Sequence, residues 1–133
     1  MPSIYSSNRA LRDPNVPKGR PIKVITSSAS VTPRDSGAVV ICNGADLVVT
    51  LPITQEGLWF TIVTAVASSG TGTSVSPYST DKIQGLGIIS PTDNKDFINS
   101  GASDAAGDFL TVVGDGSDGW WVADSRGTWA RES

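Results

Sequence analysis

Residues Ala45 to Val66, ADLVVTLPITQEGLWFTIVTAV, read as two β-strands joined by a short connection. In the first, Leu47, Val49 and Leu51 fall on one side and Asp46, Val48 and Thr50 on the other. That period of two marks a strand with one face buried. Pro52 closes it, because proline cannot donate to a ladder, and the chain turns through Thr54, Gln55, Glu56 and Gly57. The second strand, Leu58 to Val66, is the longest strand candidate in the chain at nine residues. Leu58, Phe60, Ile62 and Val66 share one face, and Trp59, Thr61, Val63 and Ala65 the other. Both faces are largely apolar, which predicts a central strand in a sheet packed on both sides, in a sandwich or against another subunit.

The flanking sequence continues in the same texture. A length of 133 residues points to one domain, and its 14 glycines and 8 prolines separate short runs rich in Val, Ile, Thr and aromatics. Upstream, Ile22 to Thr26 reads as a strand, SSAS as a polar link, Pro33 to Gly37 as a turn and Ala38 to Cys42 as another strand. Asn43-Gly44 then predicts a hairpin into the quoted stretch. Downstream, strands are expected at Thr73 to Tyr78, Lys82 to Ser90, Asp108 to Val113, Gly119 to Ala123 and Gly127 to Ala130. Pro91 to Gly107 is polar and reads as a long excursion. The expected fold is all-β, an antiparallel β-sandwich or jelly-roll-like barrel over residues 21–133, preceded by an extended N-terminal arm over residues 1–20.

Charge divides the chain in the same way. Up to Arg34 six basic residues, including Arg9, Arg12, Lys18 and Arg20, oppose one acid for a net +5; the remainder sets four basic residues against twelve acids for a net −8. A basic arm before an acidic body suggests contact with something anionic, whether nucleic acid, an acidic protein surface or a neighbour's body. Tyr5, Leu11 and Val16 are the arm's apolar anchors. No run is long enough to span a bilayer, and Met1 to Ala10 lacks the apolar segment of a secretory signal, so the expectation is a protein made and assembled inside a cell.

Catalytic and metal-binding patterns are sparse. With no histidine, the Ser-His-Asp and Cys-His pairings and most transition-metal sites are excluded. The single cysteine, Cys42, cannot form an intrachain disulfide and reads as a buried small hydrophobe. Asp35-Ser36-Gly37-Ala38 matches the short signature of aspartic proteases over four residues, but Pro33 and Arg34 replace that family's apolar lead-in, and Asp-Ser-Gly is ordinary turn chemistry. Asp104, Asp108, Asp115 and Asp118 are candidate Ca²⁺ ligands, although their spacing fits no EF-hand and a β-turn explains Asp115 to Gly119. No glycine-rich stretch carries the lysine of a phosphate loop. The expectation is a protein that is not an enzyme and needs no cofactor or metal.

Aromatic residues point elsewhere. Trp120 and Trp121 are adjacent in one strand and must face opposite ways, so at least one tryptophan near the C-terminus should lie outside the core. Loop packing, a subunit interface and sugar stacking are the possible uses, with the first two favoured.

The succession VVTLP, a glycine leading into LWFTIV, then DKIQGLG and GDFLTVVGDGSDGWWVADSRGTWA resembles small β-rich virion proteins of tailed bacteriophages, from about Ala38 to Arg131. The resemblance implies a capsid decoration (cement) protein: a homotrimer on the outer capsid surface of the virion, made in the host cytoplasm, that binds the major capsid protein without direct nucleic-acid contact. The alternative within the group is a carbohydrate- or receptor-binding module of a tail fibre or baseplate. The short chain, its basic arm and the lack of a shaft repeat favour decoration. Charge and exposure then nominate Arg9, Arg12, Lys18 and Arg20 for capsid contact, and Tyr5, Trp121 and Trp129 for packing at a subunit or capsid interface.

Overall fold

Runs of β-branched and aromatic residues between glycines and prolines favour extended backbone. In the computed structural model, which describes residues 19–133, they form eleven strands. These are β1 (Ile22–Ile25), β2 (Ala29–Ser30), β3 (Val39–Cys42), β4 (Val48–Thr50), β5 (Trp59–Thr64), β6 (Ser74–Ser76), β7 (Lys82–Gln84), β8 (Phe97–Asn99), β9 (Phe109–Gly114), β10 (Gly119–Arg126) and β11 (Trp129–Arg131). A 3₁₀ turn at Pro33–Asp35 is the only helical element among the described residues, and no helix there is long and apolar enough to cross a membrane.

Six strands form one sheet in the order β1-β3-β5-β9-β10-β7, and five form a second in the order β11-β8-β6-β4-β2. From β1 to β9 the chain changes sheet at every step, odd strands entering the first and even strands the second. Through β6 each such round trip returns the chain parallel to the strand it left, whereas from β6 to β8 it returns antiparallel. Thus β1, β3 and β5 are parallel, as are β2, β4 and β6; separately, β7 pairs in parallel with β10. Antiparallel pairing is confined to β5 with β9, β9 with β10, β6 with β8 and β8 with β11. The expectation of antiparallel sheets is therefore corrected: both are mixed.

The Asn43-Gly44 hairpin is corrected for the same reason. Strands β3 and β4 lie in different sheets, and the Asn43 N–H bonds the Ile25 carbonyl at 2.8 Å. Leu47, Val49 and Leu51 are buried as their spacing predicts. Each such side chain stabilises the fold by about 1.5–3 kcal/mol, whereas one hydrogen bond of a tight turn contributes about 1 kcal/mol, so burial decides the path. The GDGSDG turn does close a hairpin, between β9 and β10. There Asp115 Oδ1 accepts the N–H groups of Ser117, Asp118 and Gly119 at 2.8–2.9 Å.

One hydrophobic cluster draws side chains from both sheets: Val40, Phe60, Ile62, Leu110, Val112 and Trp120 from the first, and Val49, Val75, Phe97 and Trp129 from the second. Phe60 and Trp120 meet with ring centroids 5.9 Å apart. As expected, β5 is central, but it spans six residues rather than nine, and β10 is the longest strand at eight. A bulge between Val122 and Asp124 lets β10 continue past the residues that alternate cleanly. Strands β2 and β8 arise within stretches read from sequence as a link and a loop.

Two glycines separate steric from conformational demand. Gly72 has φ +110°, and a Cβ there would lie 1.8 Å from the Asn99 carbonyl oxygen, whereas Gly57, at φ +86°, faces open space. Gly57→Ala should lower the unfolding free energy by about 1 kcal/mol, the left-handed backbone cost alone. Gly72→Ala should cost clearly more, about 3 kcal/mol or above, since backbone must move as well. Urea unfolding of both variants beside the parent measures the difference.

Candidate functional site

The two-sheet arrangement leaves one side of the six-stranded sheet without a covering layer among the described residues. Register defines that outer side. Ile22 and Val24 of β1 pair with Val39 and Ile41 of β3, which pair with Thr61 and Val63 of β5. Across β5, Trp59, Thr61 and Val63 stand opposite Val113, Thr111 and Phe109 of β9, and Val113 continues to Trp121 of β10. The result is an apolar face across five strands, bounded on β7 by Lys82 and Gln84. Ile22 and Val24 are 59% and 57% exposed, Trp59 39% and Trp121 50%, values that distinguish this side from the core side of the same strands.

A polar clamp sits in the middle of this face. The Arg20 guanidinium lies 3.9 Å from the centre of the Trp59 ring. Its Nε donates to the Gly37 carbonyl at 2.8 Å, Nη1 to Thr61 Oγ1 at 3.1 Å and Nη2 to the Ala38 carbonyl at 3.3 Å. Thr61 and Thr111 hydroxyls are 2.8 Å apart beneath it. A planar, permanently charged fork can stack and bond at once in this way, which a lysine cannot do. The clamp fixes the chain at Arg20 onto the outer face, immediately before Pro21, whose carbonyl accepts the Val39 N–H at 2.8 Å.

The sequence-nominated residues separate accordingly. Arg20 is exposed and makes its three hydrogen bonds and its stacking contact within its own chain. Trp129 is 8% exposed, pairs with Asn99 across β11 and β8, and donates its indole N–H to the Arg126 carbonyl at 2.9 Å. It belongs to the core, because β11 turns that position inward. Trp121 is exposed while Trp120 is buried, the opposite orientations their adjacency requires. Tyr5, Arg9, Arg12 and Lys18 lie outside the described residues. The outer positions of β1, β3 and β9 were not singled out from sequence, although alternation in IKVI and VVIC carries the signal.

The acidic candidates have structural partners. Asp35 receives the Thr32 N–H at 2.9 Å and lies 3.6 Å from Lys23 Nζ, so the Asp-Ser-Gly match is turn chemistry. Asp46 accepts from Ser68, Ser69 and the Gly72 N–H. Asp104 accepts the Ser68 N–H, and Asp108 accepts from Asn99 and the Ala105 N–H. No three carboxylate or thiol groups converge as a metal site among the described residues. Cys42 is buried, and desolvation pushes its thiol up to about 11. Asp81 is also buried; it accepts the Thr54 N–H at 2.8 Å, and the Trp120 indole N–H approaches it outside ordinary hydrogen-bond geometry. Burial raises its pKa, the Thr54 bond opposes that shift, and Asp115 and Asp93 add to it. Among the described residues these acids serve turns and loops, and the apolar face is the feature that needs an explanation.

No protein-family model matches the chain, and a search of curated proteins finds no match.

Two substitutions test this local account. Arg20→Lys keeps the charge but loses the fork, and should destabilise the protein by about 1 kcal/mol in urea unfolding while changing Trp59 fluorescence. Because the folded-state pKa of Asp81 is raised, its favourable contribution is complete below the ordinary value of 3.8 and is lost as pH rises through the folded value. Asp81→Asn, which retains an acceptor for Thr54, should remove that loss, making stability less dependent on pH above 3.8 than in the parent.

Proposed function

We propose that the chain is a virion structural protein of the capsid-decoration type, an adhesive subunit on the outer surface of a phage shell. The observation that carries the reading is the apolar outer face of the six-stranded sheet, which no described element covers. Contiguous exposed apolar surface of this kind marks interaction sites in proteins. Two sheets sharing one hydrophobic cluster support a sandwich-like body with one face available for this role. Trp121, projecting from that face, is the anchoring aromatic for contact with another subunit or the major capsid protein.

Adhesion is the mechanism. A subunit that binds only the expanded lattice stabilises that lattice by mass action. As a homotrimer it repeats each weak contact, so avidity supplies strength that no single residue needs to provide. The N-terminal segment is the second adhesive element, with Arg9, Arg12 and Lys18 reaching the shell or a neighbouring subunit. Trp121 also favours a second reading, a glycan-binding tail module, since an exposed indole offers a platform for stacking on sugar.

Co-sedimentation with expanded and unexpanded undecorated capsids tests the first reading. Saturable binding to expanded shells, weakened by salt and by Trp121→Ala, is expected. Protein that remains in the supernatant with a matched capsid would overturn decoration, and glycan-array binding lost in Trp121→Ala would put the tail module in its place.

A further inference from the structure

The outer face of the six-stranded sheet differs in charge from the body that carries it. Residues 19–133 hold seven basic and twelve acidic side chains, net −5. On this face register places Lys82 of β7 with Asp124 and Arg126 of β10, and Arg20 is clamped at its centre, three bases against one acid for a net +2. Lys82 is paired with Asp93 at 2.8 Å. The cations left to meet a ligand are Arg126 and Arg20, which is exposed and keeps guanidinium N–H groups beyond the three it uses in its own hydrogen bonds. A positive surface on a negative body selects an anionic ligand.

Three residues of β10 give that surface a direction. Trp121, Asp124 and Arg126 stand opposite Val113, Thr111 and Phe109 on the outer side, and the bulge between Val122 and Asp124 absorbs the odd residue. All three are exposed, and they span about 14 Å at the ordinary rise of a strand. Asp124 Oδ1 accepts the Ser125 N–H at 2.9 Å, and neither Asp124 nor Arg126 has an ion-pair partner among the described residues. Next to Trp121 in the same register lies Gln84, 8% exposed, whose Nε2 has no hydrogen-bond partner among the described residues. A buried amide left unpaired is costly, and a group that reaches it relieves the cost. Turning the amide over exchanges an orphan donor for an orphan acceptor, so a hydroxyl, which can donate or accept, satisfies it in either orientation.

Stacking platform, hydroxyl acceptor and carboxylate receptor follow one another along the strand. A pyranose ring lays its C–H face on an exposed indole, its hydroxyls donate to a carboxylate such as Asp124, and a carboxylate on a neighbouring sugar pairs with a guanidinium such as Arg126. An acidic peptide would instead set its own carboxylates against Asp124 in the middle of the path. We propose that Trp121, Asp124 and Arg126, with Gln84 beside them, bind an acidic oligosaccharide, a chain of carboxylate-bearing sugars laid along β10. The site rests on the second reading of Trp121, as a platform for sugar, and gives that sugar its charge.

The probes are galacturonate, mannuronate and hyaluronan oligosaccharides, each beside its carboxyl-reduced neutral form, titrated into full-length protein by calorimetry. Trp120 and Trp129 are buried, so a change in tryptophan emission on binding reports on Trp59 and Trp121. At least one acidic series should bind saturably and about tenfold more tightly than its reduced form, as expected for one charge-assisted pair. Arg126→Gln should remove that preference and leave the reduced form bound as before, Arg126→Lys should restore part of it, and Trp121→Ala should abolish binding of both forms. Both side chains are exposed, and an unchanged far-ultraviolet spectrum and urea midpoint in each variant will show that the fold is intact. Three results would overturn the proposal. Acidic and reduced forms bound alike, with Arg126→Gln silent and Trp121→Ala still disruptive, would keep a sugar platform but remove the acidic site. Binding of none of the probes would remove the platform reading as well. Oligoglutamate bound as tightly as the best saccharide would hand the face to an acidic protein partner.

Discussion

Every strand must bury one side in a core that both sheets share, and the path of the chain depends on that constraint. Val40, Phe60, Ile62 and Val112 project from the first sheet toward Val49, Val75 and Phe97 of the second. Short strands alternating between sheets supply both halves of this core as the chain advances. Parallel pairing accompanies these round trips as far as β6, while the return from β6 to β8 is antiparallel. Where the alternation stops, at β9 and β10, the chain closes its one consecutive same-sheet pair with a turn built on Asp115.

The same constraint creates the functional problem. A two-layer arrangement protects only one side of each sheet, and β1, β3, β5 and β9 carry apolar residues on the unprotected side too. The Arg20 clamp resolves the centre of that side. By stacking on Trp59 and bonding Thr61, it gives the Thr61 and Thr111 hydroxyls polar company and leaves apolar ground around them. The carboxylates Asp35, Asp46, Asp104, Asp108 and Asp115 hold turns and loops together.

Position within the chain also misleads about role. Arg20 stands among basic residues and reads as one more charge of an arm, yet its neighbours in space come from β5 and the segment ahead of β3. Trp129 stands in a short polar C-terminal run and reads as exposed, yet pairing of β11 with β8 turns it into the core. Trp121 was legible because Trp120 and Trp121 cannot share a side of one strand.

From the sequence alone follow the all-β character, the central place of β5, the inward set Leu47, Val49 and Leu51, and a second, partly apolar side to β5. These properties depend on alternation and turn residues, which act over a few positions. Sheet membership, parallel pairing, the failure of Asn43-Gly44 to form a hairpin, and the places of Arg20 and Trp129 were decided only by the tertiary structure. A local pattern specifies that a residue must be buried but not against what, and that choice falls to contacts between segments far apart in the chain, where the summed burial of many side chains outweighs the preference of any one turn.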